Sequence, residues 1–222
     1  MQLEIQLDPV EARLFGVLVE KALTTPDQYP LSVHAATVGA NQKSNRDPVL
    51  SLGEDDVEAG LQRLEKKYMA RRVFPANSRI EKFCHNGKDA LGVDAPGLAV
   101  LAELLMRGPQ TPGELRSRAN RMVAFESIDA VMGVIAALTD RGLVRRVAPA
   151  PGSRAERYVQ LVSPDLHPLE VAAGGYAGVA VAPSADLEAR VVALEHEVRR
   201  LRGQLSLLAE RVGHPFDDEG ED

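Results

Sequence analysis

The fold is decided by a segment that reads VEAGLQRLEKKYMARRVFPANSRIEKF from Val57 to Phe83. Its apolar residues recur every three or four positions as far as Tyr68, which is the pattern of an amphipathic helix with one buried side. After the helix, the turn PANSR from Pro75 to Arg79 separates two short stretches that favour strands. The segment therefore predicts a helix followed by a two-stranded hairpin.

A second copy of this pattern reads VMGVIAALTDRGLVRRVAPAPGSRAERY from Val131 to Tyr158. Gly142 supplies a helix stop of the type found just after a C-cap. The string RRV-x-PA occurs in both copies, beginning at Arg71 and at Arg145. A long helix that leads into a hairpin with a Pro/Gly/Ser tip is the last third of a winged-helix domain. Two copies predict two such domains in tandem.

Helix-start signals precede both copies. Asp8 and Asp94 each stand before or near a proline at the start of an apolar-periodic run, and Ser32 is expected to restart a helix after Pro30. Thr111-Pro-Gly-Glu114 is a capping box, and Ser127 is the expected N-cap of the next helix. We therefore predict a mainly α protein with small β-wings, of the α+β class.

The last quarter of the chain, from residue 164 onward, has a different pattern. A stretch rich in Pro, Gly, Ala and Ser predicts a linker, and the heptad run behind it predicts a parallel two-stranded coiled coil and hence a homodimer. The alternative is a helix that folds back onto its own domains. The expected dimerisation residues are Leu187, Val191, Leu194, Val198, Leu201, Leu205, Leu208 and Val212. The predicted parts are winged-helix domains at 1–90 and 91–163, a flexible linker at 164–185, a coiled-coil helix at 186–213 and an acidic disordered tail at 214–222.

Composition excludes several classes of protein. The single cysteine, Cys84, forms no internal disulfide, which suits a reducing compartment. No apolar run approaches a membrane span, which needs about 18 residues, and the N-terminus lacks a signal-peptide layout. We expect a cytoplasmic protein without a membrane partner. The five histidines are scattered and no Gly-rich phosphate loop is found, so we expect no enzyme activity, no metal and no cofactor.

The net charge of −6 is unevenly distributed. Residues 1–90 carry twelve Lys/Arg against thirteen Asp/Glu, which gives −1, and residues 91–163 carry nine against seven, which gives +2. Residues 164–222 carry five against twelve, which gives −7. The acidity therefore lies in the tail, and the charge of the paired domains permits nucleic-acid binding without indicating it.

Three stretches together resemble the YceH family of bacterial proteins. They are TTPDQYPLS from Thr24 to Ser32, NQKSNRDPV from Asn41 to Val49, and QTPGELRSR from Gln110 to Arg118. The likeness covers about residues 7–163. It implies tandem winged helices and often a C-terminal coiled coil, and it supplies no catalytic residues, because no biochemical role is established for the family.

Candidate contact residues lie in a polar insert from Asn41 to Pro48, on the helix after Thr111, and in the hairpin tips. The insert offers amides and cations to a phosphate or base edge, or it folds on itself through side-chain-to-backbone bonds. The pairs Arg71-Arg72 and Arg145-Arg146 either meet phosphates or place one member over the apolar face of the strand. The candidate contacts are Asn41, Gln42, Lys43, Asn45, Arg46, Arg79, Arg116, Arg118, Arg121, Arg154 and Arg157.

Two functions of different classes fit this sequence. One is a dimeric DNA-binding protein of the transcription-regulator type, which contacts double-stranded DNA through wings and basic loops. The other is a protein-interaction adaptor, because tandem winged helices also serve in complexes without reading DNA. The third helix of each domain begins with acidic residues, at Glu54-Asp-Asp56 and at Asp129, which argues against base reading by these helices.

Overall fold

The computed structural model describes residues 5–75, 80–150, 152–168 and Arg200. Within these residues the chain forms seven α-helices and two separate two-stranded antiparallel sheets, so the prediction of an α+β protein is confirmed at this level. Arg79 and all the predicted heptad residues lie outside the described residues. The helices are α1 Pro9–Thr24, α2 Val33–Ala40, α3 Glu54–Lys66, α4 Gly87–Leu91, α5 Ala95–Arg107, α6 Pro112–Ala119 and α7 Ile128–Asp140. The strands are β1 Ala70–Val73, β2 Lys82–His85, β3 Val144–Val147 and β4 Arg157–Gln160.

The helices begin at the residues that the capping signals predict. The Asp8 side chain accepts from the Glu11 amide and the Glu11 carboxylate accepts from the Asp8 amide, each at 2.8 Å. Thr111 and Glu114 form the same reciprocal capping box at the start of α6. These bonds satisfy backbone donors that a helix leaves unpaired at its N-terminus. The remaining predicted N-caps, Ser32, Asp94 and Ser127, each accept a backbone N–H as well.

Each hairpin forms one isolated β-bridge with a residue that precedes a helix, α2 for the first hairpin and α6 for the second. The first hairpin pairs β1 with β2, and Leu31 pairs with Phe83 on its far side. The second hairpin pairs β3 with β4, and Gln110 pairs with Tyr158. We call residues 5–91 the first half and residues 92–168 the second half. Both halves have the order helix, bridge, helix, helix, hairpin, and the first half ends with the additional short helix α4.

The two halves pack through their first helices. Contacts divide the chain into a compact unit of residues 1–169 and a second unit, residues 170–222, of which only Arg200 is described. In the first unit α1 packs against α5, and the buried apolar side chains of both halves form one cluster. The helices approach closely at Gly16, where a Cβ would lie 3.0 Å from Met106 Cγ. The absence of a side chain at this position therefore brings the two backbones together.

Backbone bonds also cross between the halves. The Leu7 amide donates to the Val162 carbonyl at 2.7 Å, and the Asp47 amide donates to the Met106 carbonyl at 2.7 Å. The first residues of the predicted linker are packed, since Leu166 is buried and the His167 Nε2 atom lies 2.5 Å from the Asp47 carbonyl oxygen. No helix in the described part of the chain is long and apolar enough to cross a membrane.

Candidate nucleic-acid interface

The polar insert folds onto its own backbone at its first residue. The Asn41 side chain donates to the Leu52 carbonyl and accepts from the Leu52 amide, both at 2.8 Å. The Gln42 side-chain oxygen accepts from Arg46 at 2.9 Å, and the Asn45 side-chain oxygen accepts from Arg107. The Asn41 bonds are of the side-chain-to-backbone kind that the self-folding interpretation expects, whereas the other two join side chains, and one of them reaches α5. Lys43 is exposed.

Arg46 lies in the interior. Its side chain is fully buried, and its Nη2 atom is 2.5 Å from Glu20 Oε2. Its other N–H groups donate to the carbonyls of Gly39 at 3.1 Å and Asn45 at 2.8 Å. The guanidinium is therefore neutralised by an acid on α1 and holds the insert against that helix.

An ionic cluster joins the halves around Arg121, whose side chain is one-third exposed while both of its acid partners are buried. This guanidinium lies 2.5 Å from Glu20 on α1 and 2.6 Å from Glu103 on α5. Burial alone would raise the pKa of Glu20, but the bonds and charges of Arg46 and Arg121 outweigh it, and the pKa is lowered. The sequence interpretation placed Arg121 on the helix after Thr111, together with Arg116 and Arg118. That was wrong, because α6 ends at Ala119 and Arg121 follows it in the connection to α7.

Glu20 and Glu103 were missed by the sequence interpretation. Both carboxylates are essentially buried, although neither is apolar. The available signal was their position inside apolar runs, VLVE before Lys21 and LAEL from Leu101 to Leu104. An acid in such a run is buried only when it is paired.

The two arginines of α6 differ in their partners. Arg118 donates to the Gln110 side chain at 2.8 Å and forms an ion pair with Glu114 at 3.2 Å. Arg116 donates instead to the backbone carbonyls of Phe125 at 3.2 Å and Glu126 at 2.8 Å. Because carbonyls carry no net charge, Arg116 is held in place while its positive charge is not neutralised.

The two arginine pairs of the hairpins differ in exposure, since the first pair has one exposed member and the second has two, Arg145 and Arg146. Arg71 on β1 and Arg145 on β3 are exposed. Arg72 is ion-paired with Glu65 and Glu81 and lies 5.3 Å from the centre of the Phe83 ring. This arrangement matches the interpretation in which one arginine of the first pair covers the apolar face of the hairpin.

The second hairpin has a basic surface. Arg154 is exposed near the tip, and Arg157 donates to the Ala148 carbonyl at 3.3 Å. Arg146 is paired with Glu156 at 2.7 Å, and both side chains are largely exposed. The single acid in this hairpin, Glu156, is therefore matched, and Arg145, Arg154 and Arg157 remain as an excess of positive charge.

The third helix of each half presents few groups that could read bases. α3 begins with the exposed acids Glu54, Asp55 and Asp56. The outward residues of α7 include Ala130, Gly133, Ala136 and Ala137, whose side chains carry no hydrogen-bonding groups. Direct readout needs donors and acceptors aimed at base edges. The four small residues of α7 do not meet that requirement, and the polar groups at the start of α3 are carboxylates, which phosphates repel.

A cavity of about 350 Å³ lies on the surface where α6 faces the start of α7. We call it the α6–α7 groove. It was not expected from the sequence, although Arg116 was a candidate contact on other grounds. The groove is lined by Gly113, Arg116, Ser117, Asn120 and Ile128.

Comparison with known proteins places this chain among bacterial proteins without an assigned activity. Residues 7–153 match a family model described as protein of unknown function, DUF480. The chain is 42% identical over 215 residues to a UPF0502 protein of Aeromonas hydrophila, covering 95% of this chain and 98% of the relative. It is 43% identical over 212 residues to a UPF0502 protein of Hahella chejuensis, covering 91% and 96%.

A further relative bears the family name suggested by the sequence. The chain is 39% identical over 218 residues to the UPF0502 protein YceH of Salmonella arizonae, covering 95% of this chain and 100% of the relative. The resemblance that was drawn from three sequence stretches is thereby confirmed. These names describe no activity, so any function must be argued from the residues of the chain itself.

Proposed function

This chain belongs to the DUF480 family of proteins of unknown function, and from that premise we propose that it is a DNA-binding protein of the transcription-regulator type. It consists of two tandem winged-helix domains, and the second of them contacts the phosphates of double-stranded DNA. The first domain packs against the second, stabilises it and makes few contacts with DNA. A C-terminal coiled coil joins two chains.

The order of elements in each half supports the tandem winged-helix assignment. A winged helix has three helices and a small sheet, in which a short strand between the first two helices pairs with the hairpin. The bridges Leu31–Phe83 and Gln110–Tyr158 stand where that short strand is expected. The fold alone does not select a function, so the contact is argued from side chains.

The proposal rests on the arginines of the second half. Arg116, Arg145 and Arg154 are exposed, Arg157 is partly exposed, and within the described residues none of the four has a carboxylate as an ion-pair partner. The basic candidates Arg46, Arg118 and Arg121, by contrast, are each bound to an acid. Arginines with no acid partner are available to phosphates, which receive most protein–DNA hydrogen bonds.

This chemistry favours contact with the DNA backbone over sequence reading. The acidic start of α3 is repelled by phosphates, and the outward face of α7 offers small side chains. Affinity that depends on neutralised phosphates falls by about 0.9 log units per log unit of salt for each phosphate. Weak contacts from each chain add up when two chains are joined, so dimerisation strengthens binding without a new contact.

Fluorescence anisotropy with unrelated duplexes tests the DNA proposal. Arg145→Glu should weaken binding about equally on all sequences, by about tenfold or more, and should lower the salt slope by about 0.9 for the lost phosphate contact. The matched comparison is Arg71→Glu at the same position of the first hairpin, an arginine that is likewise exposed. It should lose less affinity than Arg145→Glu, because α3 of the first half begins with three exposed acids that phosphates repel. Absence of binding by the folded wild-type chain at low salt would remove the DNA proposal.

Light scattering tests the dimer. The heptads from Leu187 to Val212 have Leu at every d position and mostly Val at a, which favours parallel two-stranded pairing. The full chain should have twice the mass of one chain, and a chain that ends at Pro168 should be monomeric. That end point retains the packed Leu166 and His167. Equal monomeric masses would contradict the dimer.

An adaptor function is the second candidate, and the outward face of α7 favours it. Small residues from Ala130 to Ala137 and the half-exposed Ile128 form a smooth surface that suits a packed protein helix better than a phosphate backbone. Co-purification with a partner that survives nuclease treatment and is lost in Ala137→Glu would support this function. If the partner is lost on nuclease treatment alone, the association runs through nucleic acid.

A further inference from the structure

We propose that the α6–α7 groove is a phosphate-binding subsite. One source of the phosphate is a phosphodiester of DNA, and for that source the subsite rests on the proposed function. The other source of the same chemistry is a free phosphate or a small phosphorylated molecule. The proposal is built from a fixed cation, two further hydrogen-bonding side chains and an open approach.

Arg116 supplies the fixed cation. Its Nε–H and one Nη2–H donate to the carbonyls of Phe125 and Glu126, which leaves three of its five N–H donors for a ligand. The two carbonyls orient the guanidinium without removing its charge, so little side-chain freedom is lost when an anion binds. Preorganised guanidinium groups are well suited to phosphate, since they make parallel charge-assisted hydrogen bonds.

Ser117 and Asn120 add polar groups on the same wall. The Asn120 side-chain oxygen accepts from the Phe125 amide at 3.0 Å, which fixes the amide group and leaves its NH₂ as the donor end. Ser117 is exposed and carries a hydroxyl that donates readily. Approach to the groove is open at Gly113, where a Cβ would meet no atom within 4 Å. The lining contains no carboxylate.

The nearest acid of α6 is engaged elsewhere. The Glu114 carboxylate accepts from the Thr111 amide at 2.9 Å and from the Thr111 hydroxyl at 3.0 Å. It is also ion-paired with Arg118. Its charge is therefore compensated by the capping box and a neighbouring arginine, and it does not cancel the charge of Arg116.

The first half lacks these features at the matched positions. Counting from the N-caps Ser32 and Thr111, Thr37 stands where the second half has Arg116, and Val38 stands where it has Ser117. Counting from the N-caps Gly53 and Ser127, Glu54 stands where the second half has Ile128. The Thr37 hydroxyl donates to the Val33 carbonyl, and Glu54 is paired with His34 at 2.7 Å. At these matched positions, a phosphate is therefore attracted to the second half only.

Amide chemical shifts of the full chain, titrated first with inorganic phosphate and then with a short duplex of arbitrary sequence, test this subsite. The amides of Gly113, Ser117, Asn120 and Ile128 should shift. Arg116→Gln should weaken phosphate binding about tenfold, as expected for a lost charge-assisted contact. The matched control is Arg141→Gln, because Arg141 also donates to a backbone carbonyl, that of Leu91 at 3.3 Å, but lies outside the groove.

A second variant tests the subsite independently, in case Arg116→Gln does not fold. Ser117→Glu places an acid in the groove on an exposed helix position, and Ser117→Gln is its neutral control. Shifts that appear with both ligands, are lost in Ser117→Glu and persist in Ser117→Gln support a subsite used by DNA. Shifts with phosphate alone support the subsite with a free anion as its ligand and count against DNA binding. Groove amides that shift with neither ligand, or that respond equally in Ser117→Glu, overturn the proposal.

Discussion

The first and second halves have the same order of elements and put their charged groups to different uses. In the first half Arg46 is buried on Glu20, Arg72 covers Phe83, and α3 begins with three exposed acids. In the second half Arg116 and Arg145 are exposed, and α7 begins with Ile128. The difference teaches that the same order of elements can carry different charges and different partners for them. In the proposed function the first half is the support and the second presents the cationic surface.

The largest expected effect concerns Glu20, the buried acid that pairs with Arg46 and with Arg121. Glu20→Gln leaves the charge of buried Arg46 uncompensated and removes one of the two acids bound to Arg121. Breaking a buried pair by removing one partner costs about 3–5 kcal/mol. We therefore expect the free energy of unfolding, measured with urea, to fall by an amount in that range.

The control for Glu20→Gln is Glu156→Gln, which breaks the exposed pair with Arg146 in the second hairpin. Exposed pairs contribute about 0–1 kcal/mol, so this variant should unfold almost as the wild type does. If the two variants cost the same, Arg46 and Arg121 are not held by burial, and the division between a supporting half and a presenting half fails.

An intermediate effect is expected at the end of the third helices. Tyr68 and Gly142 occupy the same position after α3 and α7, and their φ angles are +59° and +72°. A non-glycine residue in this left-handed region costs about 1–2 kcal/mol, whereas glycine adopts it freely. Tyr68→Gly should therefore raise the free energy of unfolding by up to about 1 kcal/mol, because the Tyr68 side chain is 77% exposed and little burial is lost.

The reciprocal variant sharpens this comparison. Gly142→Ala should lower the free energy of unfolding by about 1 kcal/mol, since alanine brings the same strain into the second half. Thermal unfolding of both variants beside the wild type shows whether each one is more or less stable than the wild type. A stabilising Gly142→Ala, or a destabilising Tyr68→Gly, would mean that the two turns differ in more than strain.

The smallest effect is a pH dependence at the start of α6. The Thr111 backbone bond, with help from the Thr111 hydroxyl and Arg118, lowers the pKa of Glu114. A carboxyl whose pKa is lower in the folded state stabilises the protein above its unfolded pKa, and this stability is lost as pH falls through the folded value. α2 has Ala35 at the matching position, so the first half has no such dependence there.

We expect Glu114→Gln to be less stable than the wild type at pH 7 by less than about 1 kcal/mol, the range for a charge at a helix N-terminus. The difference should shrink as pH is lowered below 4.5, the ordinary pKa of the carboxyl. Glu126→Gln, at an exposed acid outside any capping box, is the control. A difference that stays constant from pH 7 to pH 3 would show that the capping carboxylate does not titrate as described.

Features that depend on a few neighbouring residues were predictable. Asp8, Ser32, Thr111 and Ser127 cap the helices named for them, because a side-chain oxygen reaches an amide three residues ahead. The hairpins follow from the two strand-forming stretches around each turn. The tandem repeat could be found because the same local signals recur in the same order.

Which arginines are buried and which are exposed could not be predicted in this way. Arg46 in the polar insert and Arg116 on α6 were both candidate contacts, and no residue close to either in sequence shows which of the two is buried. Arg46 is buried because Glu20 comes from a helix 26 residues away in sequence. Arg121 joins Glu20 and Glu103 only because α1 and α5 pack side by side. The groove likewise forms from residues that are brought together when α6 meets α7.

The elements, their order, the repeat and the family could be predicted from the sequence alone, since they depend on periodicity, capping and turn chemistry within short segments. The heptad pattern from which a dimer is proposed is likewise a feature of the sequence. Which charges are buried and which face outward became visible in the folded chain only. Burial of a charge requires an opposite charge at contact distance, and chain segments far apart in sequence supply that partner only after the helices have packed.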